Sequence, residues 1–568
     1  MARYYFGAVK VRFLLGLILV ASLISLHASA ADIRKCRSVA AQASLEVGMK
    51  EQGELESESA LDAYKKCLQI EPGCLACRYE IGWSYWKLGK WEDVVATWEG
   101  VLKDQPSHPD IPQYLLTAKE NLALLKQKKL PDSFISGVAL GTHSEPAEAP
   151  VSMLLLARRQ SYNPSPAHPM DQYDLDIHSP KSVGFSNDGK KVYVNSLEGG
   201  RTVIYDALGI EKKGVISHKF KTEDQGLFSN KVPWGYHFPK NLKTPNEFIG
   251  KPVEMEFSRD GKFLFIPYYR RSYDEKGTMP SALAVVDTST DQINRVMAVG
   301  PIAKYVKRSH KGKILAISHW GDNTVGLMDI SSQKPENFHP TQLLVVEKRM
   351  DLKKNLSLDR DKDCGFCVRG LAFSQDDRYL FVTRMKGGGI AVFRLHGNAK
   401  PDYLGTVFGL VPGPRDLEIS QKGEIYISCN ASGVVARLPW KNIVAALEKE
   451  TMQLPYEKRR LIVKPADLGM EKVYVGVGAR SIRLSHDEAN IFVSVNQTSE
   501  LITVDTKTMK VAARIPVDSY PVGLDLSPDD RQLWVTSQGR SAKGGNSVGI
   551  FQVRYKTHEI IPLKSGSP

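Results

Sequence analysis

Five basic side chains stand at one position of a recurring pattern. Lys181, Lys304, Arg369, Arg415 and Arg480 each precede by five residues a serine that opens a polar turn: Ser186, Ser309, Ser374, Ser420 and Ser485. Cations gathered to one place repel one another unless an anion or neighbouring carboxylates offset them. The pattern therefore points to an anionic ligand, or to basic side chains that tie neighbouring repeats together through backbone carbonyls and acids such as Asp416. Both remain open from the residues alone.

The seven cysteines come next. Cys74 and Cys77 have C-x-x-C spacing at the start of a predicted helix, which suits a redox pair, half of a metal site, or a disulfide. No βαβ pattern surrounds them and no His follows directly, so a structural disulfide is expected. Cys364 and Cys367 read as a loop-tightening disulfide. The odd count leaves Cys429, in a predicted strand, as a buried free thiol, while the connectivity of Cys36 and Cys67 stays open. Asp359-Arg-Asp-Lys-Asp363 spaces carboxylates like the start of a calcium loop. Gly365 falls one position late, however, and Gly370 stands where a bidentate Glu belongs, so a charged surface loop is expected. His319, near Trp320 and Asp322, has no partner at a recognisable catalytic spacing, and His218, His237 and His310 read as surface or turn residues. There is no G-x-S-x-G, H-E-x-x-H, P-loop or Rossmann fingerprint. No catalytic residue, metal or cofactor is expected.

The elements that must position these residues repeat. Each unit is a strand, a serine, a polar turn and a second strand, with serines at 186, 258, 309, 374, 420, 485 and 527. The third unit carries Arg308 where an apolar residue is expected, and the fifth is one residue short after its turn. Seven copies 42 to 72 residues apart fit radial repetition better than a sandwich. The shortest spacing holds the four strands of a blade, and insertions fall at 214–250, 336–366 and 437–475. The strand Pro150-Val-Ser-Met-Leu-Leu-Leu-Ala157 is placed to pair with the last blade and close the ring, which removes exposed sheet edges.

Residues 40 to 127 read instead as helices with a period of 34: Gly48 and Gly82, Ala60 and Val94, Tyr64 and Trp98, Cys67 and Val101, Pro72 and Pro106. On these positions the segment resembles the tetratricopeptide repeat over about two copies, with a capping helix at 112–126. Phe492-Val-Ser-Val-Asn496, Leu501-Ile-Thr-Val-Asp505 and Pro521-Val-Gly-Leu-Asp-Leu-Ser-Pro-Asp-Asp530 carry a resemblance to YVTN-type seven-bladed β-propellers. That resemblance implies that the first strand of each blade lines a central channel, with the five cations around one mouth. It says little of activity, because propellers host many functions.

Arg3, Lys10 and Arg12 before the apolar run Phe13 to Leu26, then Ala28-Ser29-Ala30, read as a cleaved signal peptide over 1–30. The formal net charge of +13 becomes +10 once those three basic residues leave. The expected organisation is a signal peptide, tetratricopeptide-like helices over 31–130, a linker over 131–149 and a propeller over 150–568. The expected function is that of a periplasmic or secreted, non-catalytic binding scaffold. Its helices would engage a protein or peptide of the cell envelope, and a propeller face would take a second ligand such as an anionic glycan. The rival expectation is a lactonase-like or glycan-cleaving propeller enzyme acting on an anionic substrate. Neither nucleic acid nor a membrane span after cleavage is expected.

Overall fold

The computed structural model describes residues 35–53, 57–87, 90–108, most of 111–122, and 137–556 apart from 230, 354–357, 398 and 540–544. The expected signal peptide, 1–30, lies outside these residues. The chain divides into two compact units, 1–122 and 123–568.

The first unit is helical: α1 (Val39–Gly53), α2 (Ser57–Ile70), α3 (Leu75–Lys87) and α4 (Trp91–Asp104), with further helical residues between 111 and 122. Helix α4 shows how the sequence dictates this. Trp91, Val94, Trp98 and Val101 recur at helical spacing and are its buried face. The 34-residue recurrence has a direct geometric counterpart. A Cβ on Gly48 would lie 2.3 Å from the Tyr64 ring, and one on Gly82 would lie 1.9 Å from Trp98 Nε1. Each glycine thus lets an aromatic ring of the next helix lie against backbone. Trp98 Nε1 also donates to the Tyr79 carbonyl at 3.2 Å.

The expected Cys74–Cys77 disulfide is not formed. Cys36 is bonded to Cys74 and Cys67 to Cys77. Packing brings the segment before α1 and the last turn of α2 onto the start of α3, so each member of the C-x-x-C pair meets a partner from another element.

The second unit is a seven-bladed β-propeller built from seven antiparallel sheets of four core strands each. The innermost strands begin at Pro180, Glu256, Ala303, Val368, Pro414, Ala479 and Pro521. Each recurring serine makes its turn by local chemistry. Its Oγ accepts the backbone N–H five residues on, as in Lys191 to Ser186 at 2.9 Å and Tyr379 to Ser374 at 2.9 Å. In the short fifth unit the donor is Glu424, four residues on. Apolar clusters fill the spaces between blades. One joins Phe381 and Val392 of the fourth blade to Ile427 and Leu438 of the fifth.

The strand Val151–Gln160 supplies the outer strand of the last sheet, pairing antiparallel with Ser547–Tyr555 from Val151↔Tyr555 to Gln160↔Ser547. Fully buried Arg158 locks the closure, with Nε 2.8 Å from Asp518 and Nη1 2.7 Å from Asp171. The part of the expected linker that is described, from 137 to 149, is not free. Val138 N–H donates to Asp518 at 2.8 Å, and the backbones of Glu145 and Arg514 exchange two hydrogen bonds. Val138 and Leu140 cover apolar surface of the closing blade, which ties this segment to the propeller.

Candidate functional site

The first strand of each blade lines the channel, and a few positions near its start decide the chemistry of one mouth. The structure brings Lys181, Lys304, Arg369, Arg415 and Arg480 close enough for their charges to act on one another. Burial, reinforced by Arg480, Lys304 and Arg415, holds the Lys181 ammonium well below the ordinary lysine range. Burial, partly offset by Asp361 and reinforced by Arg415 and Arg369, brings Lys304 down to about 8. Arg415 and Arg480 are likewise destabilised as cations, by burial first and then by neighbouring guanidinium groups.

Two acids answer these five bases directly. Glu254 Oε1 lies 2.6 Å from Arg369 Nη2, and Asp361 Oδ1 lies 2.8 Å from Lys304 Nζ. Aromatic faces supply part of the remaining compensation. Lys304 Nζ sits 4.1 Å from the centre of the Tyr269 ring and 5.0 Å from that of Trp320, and Arg369 lies 5.2 Å from Tyr305. Arg480 Nε reaches across to the Val522 carbonyl of the next blade at 3.2 Å. Arg415 has no ion pair among the described residues; its Nη1 rests 3.3 Å from the Met385 sulfur. Asp416 forms no close ion pair with these bases among the described residues, and its charge offsets the burden on Arg415 only in part. Its Oδ2 accepts the Ile482 N–H at 3.3 Å and so joins the fifth blade to the sixth by backbone. Bridging and unrelieved charge therefore coexist at this mouth. Arg369 Nη1 and Arg415 Nε are buried without a hydrogen-bond partner among the described residues.

Three positions further along the innermost strands the charges balance. Arg483 pairs with Glu418 at 2.7 Å and with Asp525 at 2.9 Å, and Glu256 lies 3.6 Å from Arg308. Sequence reasoning misses this layer, although Glu256, Lys307, Glu418, Arg483 and Asp525 all stand two positions before the recurring serine. Asp361 is not part of a merely charged surface loop. The carboxylates of that loop diverge, Asp359 toward Arg270 at 3.8 Å and Asp361 toward Lys304. Cys364 and Cys367, which close the same loop, are bonded to each other, and Cys429 is a buried free thiol.

His218 is fully buried, not at the surface. Tyr268 Oη donates to its Nδ1 at 2.9 Å, and its Nε2 lies 2.8 Å from Thr202 Oγ1, which donates to Asn195 at 2.6 Å. Asn195 in turn donates to the Glu254 carbonyl at 3.0 Å, so the chain of hydrogen bonds ends at the mouth. His319 is buried in a second network. It accepts the Gly300 N–H at 3.1 Å and contacts Thr324 Oγ1 at 2.8 Å, and Thr324 and Tyr236 both donate to Asp322 at 2.7 Å. Burial pushes both imidazoles down to about 3, which keeps them neutral and structural. His237 and His310 are exposed. Beside the second network a surface concavity of about 910 Å³ is lined by Tyr236, Phe238, Tyr273 and Arg349. Arg349 is paired there with Asp322 at 3.1 Å.

No family model and no curated protein matches the chain. Solved structures do. Hydrazine synthase of Kuenenia stuttgartiensis aligns at 12% identity and a TM-score of 0.44, over 67% of this chain and 97% of that one. The β-propeller domain of Cps50 (Swd1) from Myceliophteria thermophila gives 11% and 0.44, over 66% and 97%. The periplasmic gluconolactonase PpgL of Pseudomonas aeruginosa gives 16% and 0.38, over 60% and 86%. These are likenesses of fold. Among the described residues no helix is long and apolar enough to cross a membrane.

Proposed function

We propose that the protein is an exported binding protein whose channel mouth, formed by Lys181, Lys304, Arg369, Arg415 and Arg480, holds a compact anion. The observation that carries this is the pair of buried, unpartnered guanidinium N–H groups, Arg369 Nη1 and Arg415 Nε. Leaving a buried donor unsatisfied costs about 1–3 kcal/mol, and more when it is charged. An oxyanion within reach of these N–H groups would accept from them and offset the repulsion among the five cations. Export rests on the basic, apolar and Ala-Ser-Ala leader pattern together with three disulfides, which persist in oxidising compartments. The helical unit is assigned as a tetratricopeptide-like module and a second, protein- or peptide-binding surface, on the equivalence of the Gly48–Tyr64 and Gly82–Trp98 contacts. The propeller is assigned to the YVTN type on its strand and turn motifs.

Calorimetric titration of the mature chain with phosphate, sulfate and citrate at two ionic strengths tests the anion site. Arg415→Met keeps side-chain bulk but removes one charge and one orphaned donor. It should weaken anion binding by about tenfold or more while leaving ligand-free stability equal or higher, since a poorly compensated buried charge gives way to apolar bulk. Affinity should fall as salt rises. A large loss of stability with unchanged anion binding would show that the ring of bases only holds blades together.

A further inference from the structure

The cysteines of the helical unit form one cluster, not two separate staples. All four sulfurs of Cys36, Cys67, Cys74 and Cys77 lie within 4.8 Å of one another. The non-bonded separations of Cys36 Sγ from Cys67 Sγ and from Cys77 Sγ are 3.4 and 3.5 Å. A tetrahedral zinc thiolate has metal–sulfur bonds of about 2.3 Å, which sets its sulfur–sulfur edges near 3.8 Å. The non-bonded sulfurs already sit near that scale around a common centre, and the two bonded pairs must part on reduction to reach it. Three are almost wholly buried, Cys67 and Cys77 at 0% and Cys74 at 2% exposure, and Cys36 closes the cluster from the half-exposed side.

Hydrogen bonds add to the sulfur–sulfur bonds in holding this arrangement. Glu71 accepts the backbone N–H groups of Arg37 at 3.2 Å and Ser38 at 2.7 Å, which presses the Cys36 segment onto the end of α2. The Cys36 N–H donates to Gln42 at 2.9 Å. Cys74 and Cys77 sit one turn apart at the start of α3, where the helix N-terminus favours thiolate over thiol. The C-x-x-C pair aims both sulfurs at the same centre while bonding to neither each other nor a common partner.

We infer that these four cysteines are a redox-convertible metal site, present as two disulfides when oxidised and binding one zinc-type divalent cation as a tetrathiolate when reduced. The interconversion balances with a dithiol reductant. Two dithiol molecules each deliver two electrons and two protons, break the Cys36–Cys74 and Cys67–Cys77 bonds, and leave as disulfides. The four thiols then lose their protons to solvent as the cation exchanges bound water for sulfur. In both states the cluster ties the segment before α1 to α2 and α3, so the helical unit keeps its staple across a change of redox conditions.

The test uses the full mature chain, reduced anaerobically with a dithiol, freed of reductant, and titrated with cobalt(II) and then zinc(II). The expected result is one cobalt per chain, with the intense visible absorption of a tetrahedral tetrathiolate that one equivalent of zinc abolishes. Cys36→Ser should weaken cobalt binding by at least about tenfold, because loss of even an outer supporting group at a metal site costs that much. The Cys364→Ser/Cys367→Ser double variant should bind as the unaltered chain does, and the oxidised chain should take up no cobalt. The assignment is overturned if the reduced, unaltered chain binds cobalt no better than its oxidised form, a comparison that needs no variant to fold. It is also overturned if the absorption follows Cys364 and Cys367.

Discussion

Two glycines of the helical unit should respond to the same substitution with opposite signs. In an open helical position Gly→Ala stabilises by about 0.5–1 kcal/mol, because alanine loses less conformational freedom on folding. Gly100, within α4, is such a position, with open space for at least 4 Å around the place a Cβ would take. At Gly82 the added Cβ would stand 1.9 Å from Trp98 Nε1, so the indole must move. Overpacking of this kind costs about 1–3 kcal/mol. The hydrogen bond from Trp98 to the Tyr79 carbonyl is worth about 1 kcal/mol more. Against the propensity gain, Gly82→Ala should destabilise the unit by about 1–3 kcal/mol, and Gly100→Ala should stabilise it. Hydrogen exchange of α3 and α4 amides in the full chain reports local opening directly. Since about 1.4 kcal/mol is a factor of ten, a loss of about 2 kcal/mol should speed exchange roughly thirtyfold in Gly82→Ala. Slowing by a few-fold is expected in Gly100→Ala. Movement of both variants in the same direction would refute the account of how the aromatic rings seat against the helices.

Other outcomes follow from charge and burial. Lys304, facing Asp361, Arg369, Arg415 and the Tyr269 ring, titrates at about 8 when folded and at about 10.4 when unfolded, so between these values the unfolded chain binds the extra proton. Ligand-free stability should therefore rise with pH across that window while anion affinity falls, and Lys304→Met should remove its share of both trends in denaturation and titration series. The buried imidazoles of His218 and His319 titrate at about 3 when folded but at about 6.5 when unfolded, so they cost stability as pH falls from about 6.5 towards 3. Urea midpoints of His218→Gln should vary less steeply over that range than those of the unaltered chain. Burial pushes the Cys429 thiol far above its usual range, so iodoacetamide should label it only after denaturation; rapid labelling of the native chain would contradict its placement.

What the sequence discloses depends on how far apart the interacting residues lie. The serine turns are local, each a hydroxyl and an N–H four or five residues away, and the seven blades can be counted from them. Periodicity also gathers the five cations, because equivalent positions in a ring must face one channel. Their counter-charges are not periodic. Glu254 belongs to the one blade among its neighbours with no base at the mouth, and Asp361 comes from an insertion whose path no pattern predicts. The cysteine pairing is hidden for a related reason. Four cysteines allow three connectivities, and the choice is made by how the helices pack. His218 looks like a surface residue in the sequence, but the chain after it adds the short strand Lys219–Phe220, which buries the imidazole under Tyr268.

The closing strand Val151–Gln160 precedes every blade in sequence, yet its partner Ser547–Tyr555 comes from the last. The two are separated by nearly the whole propeller, so the contact that completes the ring is also among the most distant in the chain, the kind that forms slowly. A polypeptide that stops before Ser547 would carry one strand with no sheet to join and a preceding blade with its flank uncovered. Such edges invite aggregation. Closure therefore acts as a check on length: only a chain synthesised to its final blade can hide its own edges.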